Sequence, residues 1–579
     1  MFDVLFKLRW FFKQYWKRYT VAIVLMIAAS VIEIVPPFLI GGAIDEMTTG
    51  MMTSERLMQY VTYFIVMIIG TYFSNFVWQY QLFGGAITLE RILRRRLMHQ
   101  FLKMTPTFYE KNRTGDLMAR ATNDLNAVSL TAGFGIMTLI DSTVYLIAII
   151  IAMGMFVSWK LTLLAMIPIP IMAYLMQVIG KVVHQRFMVA QESFGGLNDQ
   201  VLESVAGVRV VRAYVQEEAD EKRFADHSEE VFEKNMAVVK VNALFMPITK
   251  IGTSICYIIA FGYGAVLVSN GGLTVGQLIT FTVYLGLAIW PMFAIGELIN
   301  TLQQGNASLD RVQETLETVD AVINPEKPEN VDSPTSIGFD AFTFQYPLSQ
   351  VKNLEKISVS VEKGHTLGIV GKTGAGKTTF IRQLLRQYPL GEGELLIGGV
   401  NLSKLPKEDV LDWIGYVPQD HVLFSRSIRD NIKFGKEDAT EEEIREAIQL
   451  AYFEKDLEVL PQGIETMVGE KGVSLSGGQK QRVSIARALI KNPEILILDD
   501  SLSAVDAKTE AKIIENIQRE RAGKTTIIST HRLSGIQHAE HIIVIDNGAI
   551  IEEGTHEALV SLGGWYKEQY DRQQLGEVE

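Results

Sequence analysis

A chain of 579 residues with 48% hydrophobic residues is too long for one core, so at least two domains are expected. A formal net charge of −12 argues against nucleic acid as a partner, and a lone cysteine, Cys256 inside an apolar run, excludes an intramolecular disulfide and a cysteine metal cluster. Apolar residues crowd the first half while charges thicken beyond Pro325, so a membrane half precedes a soluble half.

The N-terminal FKLRWFFKQYWKRYT is basic, aromatic and amphipathic, which predicts a helix lying in the membrane interface. Six segments then have the apolar length for a bilayer, near 20–44, 58–83, 136–157, 161–182, 244–268 and 276–300. Lys7, Arg9, Lys13, Lys17 and Arg18 precede the first of them, whereas Asp45, Glu46 and Glu55 outweigh Arg56 after it. The N-terminus is therefore expected in the cytoplasm, and six crossings return the C-terminus there.

Basic residues also fill the two long connections, Arg91 to Arg120 and Arg186 to Lys234, which makes both cytoplasmic. Helical patterning continues through them, so the spans extend beyond the bilayer. Each connection has a glycine beside a short helix signal, at Gly115 and at Gly207, and apolar residues at both bends point to docking on another surface. Within the spans, Glu33, Asp141, Lys250 and Glu297 are ionisable, and such groups generally face a cavity, a partner helix or a water path. Asp141 and Glu297 are candidate contacts for cationic, lipophilic substrates; pairing with Lys250 or a neighbouring helix is the alternative.

Pro325, Pro328 and Pro334 mark residues 321–336 as a linker between a transmembrane domain, 1–320, and a soluble domain, 337–579. In the soluble part, strand patterns (AFTFQY, KISVSV, EILILDD, KTTIIST, HIIVIDNGAIIEEG) alternate with helices, as in an α/β nucleotide domain. Gly371 to Thr378 spell G-x-x-x-x-G-K-[ST] after the buried-strand pattern LGIV. In such a loop the backbone N–H groups of Gly371, Lys372, Thr373, Gly374, Ala375, Gly376 and the following Lys377, Thr378 and Thr379 can surround phosphate oxygens; Lys377 supplies charge and Thr378 a magnesium ligand. Further on, Ile495 to Leu498 end in Asp499, a carboxylate placed to reach the Mg²⁺ shell.

LSGGQKQRVSIARALI from Leu475 to Ile490, with ILILDD, SAVD and the histidine of STHRL, resembles the ATPase domain of ATP-binding-cassette (ABC) transporters. With its preceding spans and bends, the whole chain is similar to half of an ABC exporter. The resemblance implies a six-helix all-α transmembrane domain followed by an α/β ABC-type nucleotide-binding domain, with ATP and Mg²⁺ as cofactors. It also implies a second half-transporter as partner, ATP being held between the phosphate loop of one half and Ser476, Gly477, Gly478 and Gln479 of the other. On the same basis Tyr346 stacks on adenine, Gln419 reaches Mg²⁺ and the attacking water, His531 contacts the γ-phosphate, and Ser503 to Asp506 cross the dimer interface. Glu470 in TMVGEKG would contact a basic bend such as the one holding Arg209 or Arg212.

One position departs from the pattern. The residue after the metal-side aspartate is ordinarily a glutamate that polarises water, and here it is Asp500, one methylene shorter. Misplacing a reacting group by about 1 Å can cost on the order of a hundredfold in rate. In the exporter family this substitution marks the impaired subunit of heterodimeric bacterial multidrug exporters. The expectation is therefore export of lipophilic drugs across the bacterial plasma membrane by a pair of unlike chains, the partner carrying the catalytic glutamate. A homodimeric exporter or a lipid flippase of the same fold is the alternative.

Overall fold

Residues 2–469 and 475–576 are described by the structure, a computed structural model, and Glu470 lies outside them. Contacts divide the chain into two units: residues 1–100 with 115–317, and residues 101–114 with 318–579.

The first unit is helical throughout. Its N-terminal stretch forms two short helices, Asp3–Lys7 and Arg9–Gln14, with Val4, Leu8 and Phe11 fully buried, and leads into Trp16–Thr48. Arg96 of a later helix lies over the Trp10 ring at 4.2 Å, and Lys7 pairs with Asp310, so an aromatic and a basic residue of this stretch both find partners on later helices. Ser54–Lys103 runs for 50 residues, or about 75 Å at 1.5 Å per residue, more than twice the ~30 Å hydrocarbon layer. Val275–Glu317, with 43 residues, likewise outruns the bilayer.

Among the described residues, five helices are long and apolar enough to cross a membrane: Trp16–Thr48, Ser54–Lys103, Thr114–Met166, Glu217–Ser269 and Val275–Glu317. Six are expected from the sequence. The fourth expected span, 161–182, falls across two helices, Trp159–Met166 and Pro168–Ala206, because Pro168 cannot donate a backbone hydrogen bond and begins a new helix after Ile167. The helix Thr114–Met166, which includes the third expected span, contains four π-helical turns: Arg120–Asp124, Thr131–Gly135, Asp141–Tyr145 and Gly154–Ser158.

Hydroxyls tie the first and last long helices together where Pro36 and Pro37 interrupt the helical ladder. Thr280 Oγ1 donates to Pro37 O (3.0 Å) and Tyr284 OH to Ile34 O (2.7 Å). Asp45 closes the same seam, accepting Gly276 N–H at 2.7 Å and Thr274 Oγ1–H at 2.6 Å at the start of Val275–Glu317. Nearer the helix C-terminus, Arg311 pairs with the buried Asp124, which also accepts from Ser308 (3.0 Å).

The second unit contains two sheets. One is antiparallel, ordered β2-β1-β4-β5 from β1 (Ser336–Phe344), β2 (Leu354–Glu362), β4 (Glu392–Ile397) and β5 (Val400–Asn401). The other is ordered β10-β9-β3-β8-β7-β6, from β3 (Thr366–Val370), β6 (Ile414–Val417), β7 (Ile495–Asp499), β8 (Thr525–Ser529), β9 (His541–Asp546) and β10 (Ala549–Gly554). All of its neighbours are parallel except the β9–β10 hairpin. β7 and β8 are buried along their whole length, which is why their sequences are continuous apolar or β-branched runs rather than alternating ones.

The first bend, the one around residues 106–111, belongs to this unit. Its helix, Pro106–Lys111, buries Thr107 and Phe108, and Tyr388 OH donates to the Glu110 carboxylate. Thr105, at the helix N-cap, donates through N–H (3.2 Å) and Oγ1 (2.6 Å) to Asp320. The bend around Gly207 forms the helix Val208–Ala213 in the first unit, and none of its residues is buried.

Candidate functional site

Parallel order brings the motifs together. Because β3, β8 and β7 are neighbours running the same way, the segments leaving their carboxyl ends emerge side by side, where α/β sheets bind ligands. Those segments are the phosphate loop after Val370, Thr530 and His531 after Ser529, and Asp500 after Asp499. Gln419 follows β6, at the edge of the same row.

The loop from Gly371 to Gly376 enters the helix Lys377–Leu384. Gly374 sits at φ +82°, a backbone conformation that favours glycine, with open space where a Cβ would project. Lys377 is buried, and its ammonium donates to Gly371 O (2.9 Å) and Lys372 O (3.0 Å), which holds it across the mouth of the loop. Burial lowers its pKa, while the Asp500 and Asp499 carboxylates act in the opposite sense. Thr378 Oγ1 donates to Asp499 Oδ1 at 3.2 Å, so the two expected metal ligands already meet. Burial raises the Asp499 pKa against the effect of that hydrogen bond.

Asp500 has a left-handed backbone at φ +45°, unusual for a residue with a side chain. Its N–H donates to Ser529 O (2.8 Å) and its C=O accepts from Ser503 Oγ (3.0 Å), fixing the backbone on both sides. Gln419 Nε2 lies 3.5 Å from Asp500 Oδ2, and Asp500 Oδ1 is buried without a hydrogen-bond partner among the described residues. His531 has its pKa held down by partial burial and by the Lys377 ammonium, opposed by Asp500, which favours a neutral imidazole.

Tyr346 faces inward. Its OH donates to Thr379 Oγ1 (3.1 Å) and accepts from Arg382 (3.4 Å), and its ring meets Tyr388 edge-on with centroids 4.8 Å apart. Tyr388 is the residue that bonds Glu110, so the first bend and the tyrosine expected beside adenine share one neighbour. Burial and then the Glu110 hydrogen bond raise the Tyr388 pKa, keeping its hydroxyl protonated as the donor.

Ser476 caps the helix Gly477–Leu489 in a reciprocal capping box with Gln479, at 3.3 and 2.9 Å. Gln479 also reaches Asp456 (3.1 Å). Ser476 and Gly477 are exposed, so this helix start presents its free N–H groups outward, and its hydrogen bonds go to its own subdomain rather than to the phosphate loop.

Two residues not singled out from sequence organise the loops. Arg532 binds Val505 O (2.9 Å), Ser503 O (3.2 Å) and Glu510 (3.0 Å), joining the histidine loop to Ser503–Asp506. Gln481 accepts Ala504 N–H (3.1 Å), joining the signature helix to the same segment. Their positions beside His531 and Gln479 are the only sequence signal.

In the membrane unit Asp141 accepts weakly from Trp290 Nε1 (3.4 Å) and is half-buried, whereas Glu297 is exposed. Neither forms an ion pair with Lys250 among the described residues.

An open glycine cradle, a buried lysine, a Thr–Asp pair and an unpartnered carboxylate oxygen fit a magnesium nucleotide. The ABC transporter transmembrane region family matches residues 19–292, and the ABC transporter family matches residues 354–503. A probable multidrug resistance ABC transporter ATP-binding/permease protein of Bacillus subtilis is 58% identical over 579 residues, covering 100% of this chain and 99% of that protein. The chain belongs to the ABC transporter family. This ABC half-transporter is also 38% identical over 569 residues to the multidrug resistance-like ATP-binding protein MdlA of Escherichia coli, with 98% and 96% of the two chains covered. Among solved structures, a bacterial Atm1-family ABC exporter with ATP bound superimposes with a TM-score of 0.83 at 26% identity, over 96% of this chain and 99% of that one. The half-transporter thus has the ABC exporter fold, a helical multi-pass transmembrane domain followed by an α/β nucleotide-binding domain, and couples ATP hydrolysis to transport across a membrane.

Proposed function

We propose that this chain is the weakly hydrolysing half of a heterodimeric exporter of lipophilic, cationic drugs in the bacterial plasma membrane, with both termini in the cytoplasm. The observation that carries the proposal is the backbone of Asp500: its N–H and C=O are both hydrogen-bonded, which opposes any advance of the main chain to replace the missing methylene. A carboxylate set back in this way positions water poorly while leaving nucleotide binding intact.

In this reading Lys377 and the loop N–H groups hold the phosphates, Thr378, Gln419 and Asp499 hold Mg²⁺, His531 meets the terminal phosphate and Tyr346 meets adenine. Bound nucleotide supplies the phosphate contacts that favour closure of two nucleotide-binding domains, and closure reaches the membrane helices through the cytoplasmic bends. The exposed Ser476–Gln479 helix start completes the partner's site. Asp141 and Glu297, on the third and last spans, serve as acidic contacts for substrate.

The homodimeric alternative has one observation in its favour, the unpartnered Asp500 Oδ1, which leaves an acceptor for a water proton. Substitution in the assembled pump separates the two. With a dominant partner site, Asp500→Asn leaves drug-stimulated ATPase nearly unchanged; a homodimer relying on Asp500 loses it. Asp141→Asn with Glu297→Gln should weaken stimulation by a lipophilic cation, and an unchanged response would remove these carboxylates from the substrate path.

A further inference from the structure

The helix Trp565–Gly576 is fastened to the nucleotide-binding domain at its start. Glu552 of β10 accepts N–H bonds from Trp565 (2.5 Å) and Tyr566 (3.1 Å). Gly564 makes room for that carboxylate, since a Cβ there would fall 2.2 Å from Glu552 Oε1. Tyr566 is fully buried and its hydroxyl meets His556 Nδ1 at 2.8 Å; Tyr570, four residues on, packs on the same core. Gln573 is seven residues beyond Tyr566 and so falls on the same helix face.

There Gln573 makes a two-point contact. Its Nε2 donates to His531 O (2.8 Å) and its Oε1 accepts Leu533 N–H (2.9 Å). A primary amide carries the donor and acceptor needed to bond a C=O and the N–H two residues later. On the other side of the tripeptide, Arg532 is tied to Ser503, Val505 and Glu510. The histidine loop is therefore gripped from both sides. The same helix closes a cleft of about 360 Å³ whose other walls include Gly371, Lys372, Thr373 and His531, with Trp565 and Gln569 facing them.

We infer that Gln573 is a positioning residue of the nucleotide site: it sets the His531 backbone so that the imidazole addresses the terminal phosphate, and it thereby contributes to preference for ATP over ADP. The inference rests on the reading of His531 as the terminal-phosphate contact. A role confined to holding the helix in place would affect both nucleotides alike, because ADP lacks only the phosphate that His531 would touch.

The test uses the assembled transporter and photolabelling of this chain by radiolabelled azido-ATP and azido-ADP, with Mg²⁺, under non-hydrolysing conditions. Gln573→Ala is expected to weaken azido-ATP labelling by about tenfold, the size set by two modest hydrogen bonds, with azido-ADP labelling unchanged. His531→Ala should give the same ATP-selective loss, and the double variant no more than either alone, since the two act through one contact. Gln573→Glu keeps the acceptor for Leu533 N–H but opposes a carboxylate to His531 O, and is expected to share the ATP-selective loss even if the alanine variant assembles poorly. Equal loss of ATP and ADP, no loss, or additive losses in the double variant would overturn the proposal. If His531→Ala itself leaves ATP preference intact while Lys377→Ala abolishes labelling, the role assigned to His531 fails. If Lys377→Ala labels normally, the nucleotide-site reading fails instead.

Discussion

In the first of the two bends, Thr107 and Phe108 are buried, Glu110 accepts a hydrogen bond from Tyr388, and Thr105 is tied to Asp320. In the second, Val208–Ala213, no residue is buried, and Val208, Val210, Tyr214 and Val215 stand exposed. Both bends were expected from sequence to dock, and the difference between them is informative: the first finds its surface within this chain, while the second carries the apolar residues for docking and is uncovered in a single chain. Exposed apolar bends of this kind often mark protein–protein contacts. In the exporter reading, the partner is the second nucleotide-binding domain.

The contrast can be broken experimentally at several points. The largest effect is expected at the second bend, where Val210→Asp would bury a charge upon assembly at about 4 kcal/mol. Drug transport by vesicles should fall to background while nucleotide labelling of this chain persists; full transport would mean the second bend docks on nothing. At the first bend, Phe108→Ala should cost about 3 kcal/mol of docking, since a buried phenyl leaves a cavity. Rising protease sensitivity at residues 101–114 would report it, and an unchanged digestion pattern would refute the docked arrangement.

A smaller effect, about 1.5 kcal/mol, is expected from Tyr388→Phe, which removes the hydrogen bond to Glu110 but keeps the ring beside Tyr346. Coupling, read as transport per ATP hydrolysed, should decline while ATP affinity holds.

The gentlest probe is pH. Because burial raises the Asp499 pKa, a proton competes with Mg²⁺ at higher pH than it would at an exposed aspartate. Mg²⁺-dependent nucleotide labelling should therefore decline on acidification before ordinary carboxylates titrate, with Asp499→Asn removing the pH dependence along with most of the Mg²⁺ requirement.

The nucleotide domain was legible because its signals are local. Buried parallel strands read as unbroken apolar runs, as in Ile495–Asp499, and a glycine loop followed by Lys377 and Thr378 admits few other structures. The membrane half was legible in outline. Its fourth span was not read as divided, because hydropathy over 161–182 is indifferent to the missing N–H of Pro168 that separates Trp159–Met166 from Pro168–Ala206. What the sequence could not show were pairings between distant positions: Tyr388 with Glu110, Arg532 with Ser503, and Tyr346 with Thr379. Each depends on tertiary placement, and none leaves a periodicity or a spacing. The departure at Asp500 was visible as a residue type, but its fixed left-handed backbone was not.

In the proposed heterodimer this chain binds ATP well and needs a different chain to hydrolyse it efficiently. The most direct measurement is drug-stimulated ATPase activity of this chain purified in lipid without any second polypeptide. A heterodimer gives nucleotide binding with no appreciable stimulated turnover, restored on adding a partner that carries the catalytic glutamate; robust stimulated turnover by the lone chain rules the heterodimer out.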